Sequence, residues 1–233
     1  MAGVFYVRGR FVGAVSKGMA KLKAVVGLGN PGDQYVRTRH NVGFSVLDLV
    51  AKREGAQFQV DGKWEAKTCK IGGVTYLQPQ TYMNESGRSI GSISRFYRWA
   101  PEEILVVFDD VSLPLGDLRF RMNGGHGGHN GVKSLLAHLP NDAFPRFKFG
   151  IGASSGEQLV GHVLGTFAMD EKELLENTLA TAADAVQLAV SASVEAAANQ
   201  FNVKSKTQKT NPEYQEEDES QIRGDDCPKH TGE

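Results

Sequence analysis

From residue 22 to residue 202 the chain alternates between short apolar runs and stretches whose apolar positions recur every three or four residues. The first pattern predicts buried strands, the second amphipathic helices. Residues 22–28 read as a strand entering a glycine-rich loop. The segment VGFSVLDLVAKR, residues 42–53, carries a helical stripe of Val42, Phe44, Val46, Leu47, Leu49 and Val50. A hairpin follows, with arms at 67–71 and 74–77 joined by Gly72-Gly73. Residues 86–99 read as a helix with Ile90, Ile93 and Phe96 on one side, and 104–108 as a strand ending in Asp109-Asp110. Further strands are predicted at 118–122 and 147–151. Helices are predicted at 130–139 and, long and alanine-rich, at 172–198. This order predicts a single-domain α/β fold, a twisted β-sheet flanked by α-helices; the hairpin makes the sheet mixed.

Composition changes the picture mainly at the ends. With 233 residues, 40% of them hydrophobic, the chain can bury a core of its own. No apolar run approaches the ~18 residues of a membrane span, so no membrane association is expected. A net charge of −1 argues against a protein that coats nucleic acid indiscriminately, yet allows a local cationic site. Cys69 and Cys227 are too far apart in the sequence to indicate a disulfide framework or a zinc site, which fits a reducing compartment. Residues 1–21 form a basic leader with Arg8, Arg10, Lys17 and Lys21 and no acid. It reads as untranslated, with Met19 as the natural start, or as disordered; a short transit segment is the alternative. Residues 203–233 read as a disordered polar tail, which leaves 22–202 for the folded domain.

The loop after the first strand, Gly27-Leu28-Gly29-Asn30-Pro31-Gly32, spells G-x-G-x-x-G. A dinucleotide site would need free backbone N–H groups where Pro31 stands, and an acid at the end of a second strand about 20 residues on. There the chain is inside a helix, with Asp48 among Leu-Asp-Leu-Val. The better reading is a tight turn that holds Asn30 at the carboxyl end of a strand, where ligands of α/β folds bind.

Other polar stretches fall at strand ends or in loops: Thr38-Arg39-His40-Asn41, Gln80-Thr81-Tyr82-Met83-Asn84, Asp109-Asp110, and the run GGHGGHNG at 124–131. Asn84 and Asn130 also suit the caps of the helices that follow them. His126 and His129 lack the further ligands of a closed zinc site, so no metal is expected. A histidine near a carboxylate is an oriented general base. No G-x-S-x-G elbow or well-placed cysteine supplies a nucleophile. The set therefore points to direct attack by water on a carbonyl compound, with asparagines to hold the substrate and the developing oxyanion.

In order along the chain, GLGNPG…Y…TRHNVGF, PQTYMNESG, DDVSLPLGDLRFR, GGHGGHNGVKS and FPRFKFGIG resemble the bacterial-type peptidyl-tRNA hydrolase family, over residues 23–202. The resemblance implies a monomeric α/β enzyme that hydrolyses the ester between a peptide and the 3′ ribose of tRNA, freeing tRNA for translation. It implies no cofactor, and contact with the acceptor stem and 3′ end of peptidyl-tRNA. A cytoplasmic location follows, or an organellar one if the leader is a transit segment. His40 matches the base that activates water, and Asp109 the carboxylate that orients it. Asn130 matches the asparagine that positions water or supports the oxyanion. Asn30 and Asn84 match side chains that bind the peptide, Tyr35 an aromatic residue beside the site, and His129 a neighbour in a mobile gate loop. Arg121 and Lys148 fall where the family clamps the tRNA 5′-phosphate. Phe108 and Ser112 depart from a frequent histidine and a frequent aspartate.

Two other classes remain open. Relatives of this fold act as non-catalytic RNA-splicing factors, which would tolerate loss of the base or the asparagines; here those residues are intact. A hydrolase of another ester or amide would share His40 and Asp109 but have no need of Arg121 and Lys148.

Overall fold

A computed structural model describes residues 5–7, 10–12, 21–154, 156 and 158–202. Strands β1 (Phe5–Val7) and β2 (Arg10–Val12) pair as an antiparallel ribbon. The rest of the expected leader up to residue 20, and the expected tail 203–233, lie outside the described residues. The body runs in chain order β3 (Ala24–Gly27), α1 (Val42–Arg53), β4 (Gln59–Asp61), β5 (Ala66–Ile71), β6 (Val74–Pro79), α2 (Ser86–Tyr97), β7 (Ile104–Asp110), β8 (Leu118–Arg121), α3 (Asn130–His138), β9 (Arg146–Gly150), α4 (Gln158–Leu164), α5 (Lys172–Ser191) and α6 (Val194–Phe201).

Strands β3 to β9 form one mixed sheet in the order β4-β5-β6-β3-β7-β9-β8. The inner strands β6, β3, β7 and β9 are parallel, and antiparallel pairings finish both edges. The expected hairpin is β5–β6, turned by Gly72 and Gly73 at φ 59° and 85°, the left-handed pair a two-residue turn requires. Alternation along the central strands divides the core in two. Val25, Leu105 and Val107 face the layer of α1, α5 and α6, while Val26, Ile104 and Val106 pack with residues of α2 and α3. Each fully buried aliphatic side chain contributes roughly 1.5–3 kcal/mol against unfolding.

The topology also places a crevice. From β3 the chain leaves through α1 toward β6, whereas from β7 it leaves toward β8 and β9 on the other side. Adjacent parallel strands whose connections part in this way open a ligand crevice at their carboxyl ends.

The expected helix 172–198 is two helices. Ser193 is extended, and its Oγ accepts from the Ala196 N–H at 3.1 Å, capping α6. Strand β4 and helix α4 were not expected: β4 has three residues, and none of those in α4 is buried, so neither leaves a periodic apolar signature. Phe96 does not join Ile90 and Ile93 in the core. It is 57% exposed, tilted against Trp64 and edge-on to Tyr97. Among the described residues no helix is long and apolar enough to cross a membrane.

Candidate active site

The glycines of the first loop serve packing. A Cβ on Gly43 would overlap the carbonyl oxygens of Leu28 and Val107, and one on Gly27 would overlap the carbonyl of Gly43. Bare backbone at both positions lets the start of α1 rest on the carboxyl ends of β3 and β7. The turn Arg39–Asn41 that leads into α1 is thereby set over the end of β7, and His40 meets Asp109.

His40 Nδ1 lies 2.8 Å from Asp109 Oδ1, and His129 Nε2 reaches the same oxygen at 3.0 Å. Asp109 is 3% exposed. Burial alone would raise its carboxyl pKa. Electrostatic attraction to the His129 and His40 imidazoles and the hydrogen bonds they donate outweigh that and hold it below the usual carboxylate range. The directions of the bonds fix the tautomers. His129 Nδ1 accepts from the backbone N–H groups of Gly131 and Val132, at 3.1 and 3.3 Å, so Nε2 carries its proton and donates to Asp109. His40 donates from Nδ1 to an ionised carboxylate, and its Nε2 has no partner among the described residues.

His129, Asp109 and His40 present three donor atoms within 4.8 Å of one another, enough to raise the question of a metal. The tautomers argue against one. A metal on His129 Nε2 would move that ring's proton to Nδ1, against two N–H groups that already point there. His129 is also the cap of α3, which corrects the expectation that Asn130 caps it. Asn130 begins that helix, exposed, and lines the cavity beside His40.

Asn30 is 7% exposed, and its Oδ1 accepts the Met83 N–H at 2.8 Å. Its Nδ2 is therefore the end left to donate. Asn41, which the sequence reading passed over, holds Asn30 by two bonds of 2.9 Å: Asn30 N–H to Asn41 Oδ1, and Asn41 Nδ2 to the Asn30 carbonyl. Asn84 is exposed on the turn Met83–Glu85 and places no side-chain cap on α2. Tyr35 is half-buried, and its carbonyl accepts from the N–H and the hydroxyl of Thr38.

The expected cationic pair is not a facing pair. Register places Arg121 opposite Arg146, and Arg119 opposite Lys148, on the edge strand β8 and its neighbour β9. Arg121 is exposed, whereas Lys148 Nζ is held by Asp110 Oδ2 at 2.7 Å. Ser112 donates its hydroxyl to the other oxygen of Asp110, also at 2.7 Å, so it is not a nucleophile paired with His40. Phe108, where a second histidine is frequent, is 3% exposed and meets the His129 ring edgewise at 4.9 Å.

Arg39 was also missed. Its guanidinium grips Glu171 at 2.7 and 3.2 Å and lies over the ring of Phe167, 4.5 Å from the centroid. Its backbone N–H bonds to the Gly165 carbonyl, so the turn that carries His40 is tied to the segment after α4. A hydrophilic residue next to the base in the sequence was the only available sign of this clamp.

Around His40 and Asp109 lies a cavity of about 240 Å³, lined also by the loop at 126–130, Lys148 and the α4 residues Leu159, Val160 and Val163. A base with one free nitrogen, an ionised carboxylate behind it and the Asn130 amide at the same cavity can activate water against a carbonyl. The class is an α/β hydrolase site without a side-chain nucleophile.

Comparison with known proteins narrows the class to one family. The model of the family described as Peptidyl-tRNA hydrolase matches residues 24–211. A Peptidyl-tRNA hydrolase of Akkermansia muciniphila is 46% identical over 184 residues, 78% of this chain and 97% of the relative. One from Synechococcus sp. (strain JA-2-3B'a(2-13)) is 45% identical over 186 residues, 78% of this chain and 83% of the relative. The crystal structure of peptidyl-tRNA hydrolase from Acinetobacter baumannii at 1.00 Å superposes with a TM-score of 0.75 at 38% identity, covering 81% of this chain and 98% of that one. The chain belongs to the peptidyl-tRNA hydrolase family.

Proposed function

We propose that His40, oriented by Asp109, activates the water that hydrolyses peptidyl-tRNA, the ester substrate of the family to which this chain belongs. The protein is an enzyme of the ester-hydrolase type, and its reaction returns free tRNA to translation. The observation that carries the roles is the 2.8 Å contact between His40 Nδ1 and Asp109 Oδ1, which leaves Nε2 unpartnered at the cavity. As water attacks the ester carbonyl, Nε2 takes its proton, and Asp109 stabilises the imidazolium that forms. The Nδ2 of Asn30, its oxygen already engaged by Met83, donates to the peptide end or to the oxyanion. Asn130 at the start of α3 positions the water, and Asn84 and Tyr35 flank the peptide. Collapse of the intermediate expels the ribose 3′ oxygen, which recovers the proton from His40. The products are a peptide carboxylate and tRNA.

Arg121 and Lys148 at the β8–β9 edge engage the tRNA 5′-phosphate, Lys148 exchanging Asp110 for phosphate. Recognition of a 3′ end and one terminal phosphate needs few cations, in keeping with the net charge of −1. The enzyme acts as a monomer in the compartment where tRNA is recycled. The test is to incubate the protein with N-acetylated and with uncapped aminoacyl-tRNA, His40→Ala alongside. Cleavage of the acetylated substrate, lost in the variant, is the expected result; no cleavage by folded wild-type protein would refute the reading.

A further inference from the structure

Asn41 stands at the start of α1 and does not cap it. Asparagine is among the best residues for that position, where its side-chain oxygen accepts a backbone N–H of the first turn. Among the described residues the Asn41 side chain makes no such bond, although it is only 2% exposed. A buried amide at a helix start that leaves the cap unmade has another use.

Both ends of the amide bind one residue. Asn41 Oδ1 accepts the Asn30 N–H, and Asn41 Nδ2 donates to the Asn30 carbonyl, each at 2.9 Å. Pro31 biases Asn30 to extended backbone, in which the N–H and C=O of one residue point to the same side. The Asn41 amide therefore takes the place of a paired residue on an antiparallel strand, past Gly27 where β3 ends. With its backbone held in this way, Asn30 turns its Oδ1 to the Met83 N–H, 2.8 Å away. Three turns meet here: Arg39–Asn41 with the base, the loop after β3, and Met83–Glu85 with Asn84. The contact between His40 and Asp109 is made through other atoms.

We propose that Asn41 is a positioning residue for the reaction: it fixes Asn30 so that Asn30 Nδ2 meets the substrate, and it sets that donor in register with His40, its neighbour in the chain. The proposal rests on the peptidyl-tRNA reading of the site. Asn41→Asp keeps an acceptor for the Asn30 N–H but sets a carboxylate against the Asn30 carbonyl. Asn41→Ser offers one polar atom where the amide offers two. Both replacements are favoured at helix starts, so α1 is expected to form in each.

The test measures kcat and KM for N-acetyl-Phe-tRNA with wild type, Asn41→Ser, Asn41→Asp, Asn30→Ala and the double variant Asn30→Ala/Asn41→Ser, with thermal melts to verify folding. Asn41→Ser is expected to lower kcat/KM by about tenfold to a hundredfold, the scale of a small misplacement within a site, and Asn41→Asp at least as much. The loss should fall in the same constant, kcat or KM, as in Asn30→Ala, and Asn41→Ser should leave the pH profile unmoved. The double variant should be no slower than Asn30→Ala, because Asn41 acts through the residue already removed. In wild type the Asn30 amide proton should exchange slowly with solvent, and fast exchange would overturn the proposal without any variant. Activity of Asn41→Ser within about twofold of wild type also overturns it, as do losses that multiply in the double variant. A shifted pH profile would do the same by placing Asn41 behind His40. Wild type that leaves N-acetyl-Phe-tRNA intact removes the hydrolase reading and this role together; an active wild type with an indifferent Asn41→Ser removes the role alone.

Discussion

Asp109 on β7 and Arg146 on the adjacent β9 are both buried charges, 3% and 1% exposed, and their surroundings differ in kind. Two imidazoles converge on one oxygen of Asp109, and one of those imidazoles is itself anchored by two backbone N–H groups. Among the described residues the Arg146 side chain makes one hydrogen bond, from Nη1 to the Asp142 carbonyl at 3.3 Å, and lies over the Phe144 ring at 4.2 Å. Its Nε and Nη2 have no partner among the described residues, and burial pulls its pKa down against the opposing charge of Asp142. A charge held from several directions can orient a neighbour. A charge that is only enclosed lowers stability, because its lost hydration is not replaced.

The largest expected effect comes from breaking the well-held charge. Asp109→Asn should slow single-turnover cleavage of N-acetylaminoacyl-tRNA by about a thousandfold, because a neutral amide neither fixes the His40 tautomer nor stabilises the imidazolium. Circular dichroism would verify the fold, and a rate within a factor of ten of wild type would remove Asp109 from the mechanism.

Next is the clamp beside the base. Arg39→Lys replaces a two-point grip on Glu171 with a single one and should lower unfolding free energy by about 1–3 kcal/mol in urea titrations. The same pair sets a pH dependence. The Arg39 hydrogen bond lowers the Glu171 pKa below its ordinary 4.5, more than burial raises it. A depressed carboxyl contributes its stability above the unfolded-state value and loses it as pH falls through the folded-state value. Acidification below about pH 4.5 should therefore destabilise wild type more steeply than Glu171→Gln.

Smaller effects separate the two duties of His129. His129→Ala removes a helix cap worth about 1 kcal/mol together with a bond to Asp109. His129→Asn restores a favoured capping residue, so thermal stability should return toward wild type while the rate stays reduced. A rate that recovers in step with stability would show that the Asp109 contact contributes nothing of its own. The smallest change is expected at the enclosed charge. Arg146→Met should leave unfolding free energy unchanged or raise it by up to about 1 kcal/mol. A marked loss of stability would mean that Arg146 is better partnered than its surroundings indicate.

Much of this was legible along the chain. The helix Val42–Arg53 was read to the residue, because its apolar stripe is continuous and begins after a polar turn. Strand β7 was recognised from an apolar run that ends in two acids, and that ending supplied the carboxylate. His40, Asp109, Asn30 and His129 could be singled out as polar residues at strand ends and loops, and the structure brings His40, Asp109 and His129 into contact. The boundary at Ser193 was hidden because alanine carries no strong signal for stopping a helix. Phe96 kept the helical spacing of Ile90 and Ile93, but no buried layer extends to cover it.

What the sequence determined by itself was the alternation of elements, the mixed sheet and the chemical types available for catalysis, since these depend on local periodicity and side-chain identity. Tertiary structure decided the partners. Only the seating of Gly43 over β3 and β7 places His40 on Asp109, and only the strand register sets Arg121 opposite Arg146 and Lys148 opposite Arg119. Which nitrogen of His129 bears the proton, and which end of Asn30 is free, depend on backbone groups of neighbouring turns. Hydrogen bonds are directional and short, so these assignments exist only once distant segments have been packed to within about 3 Å.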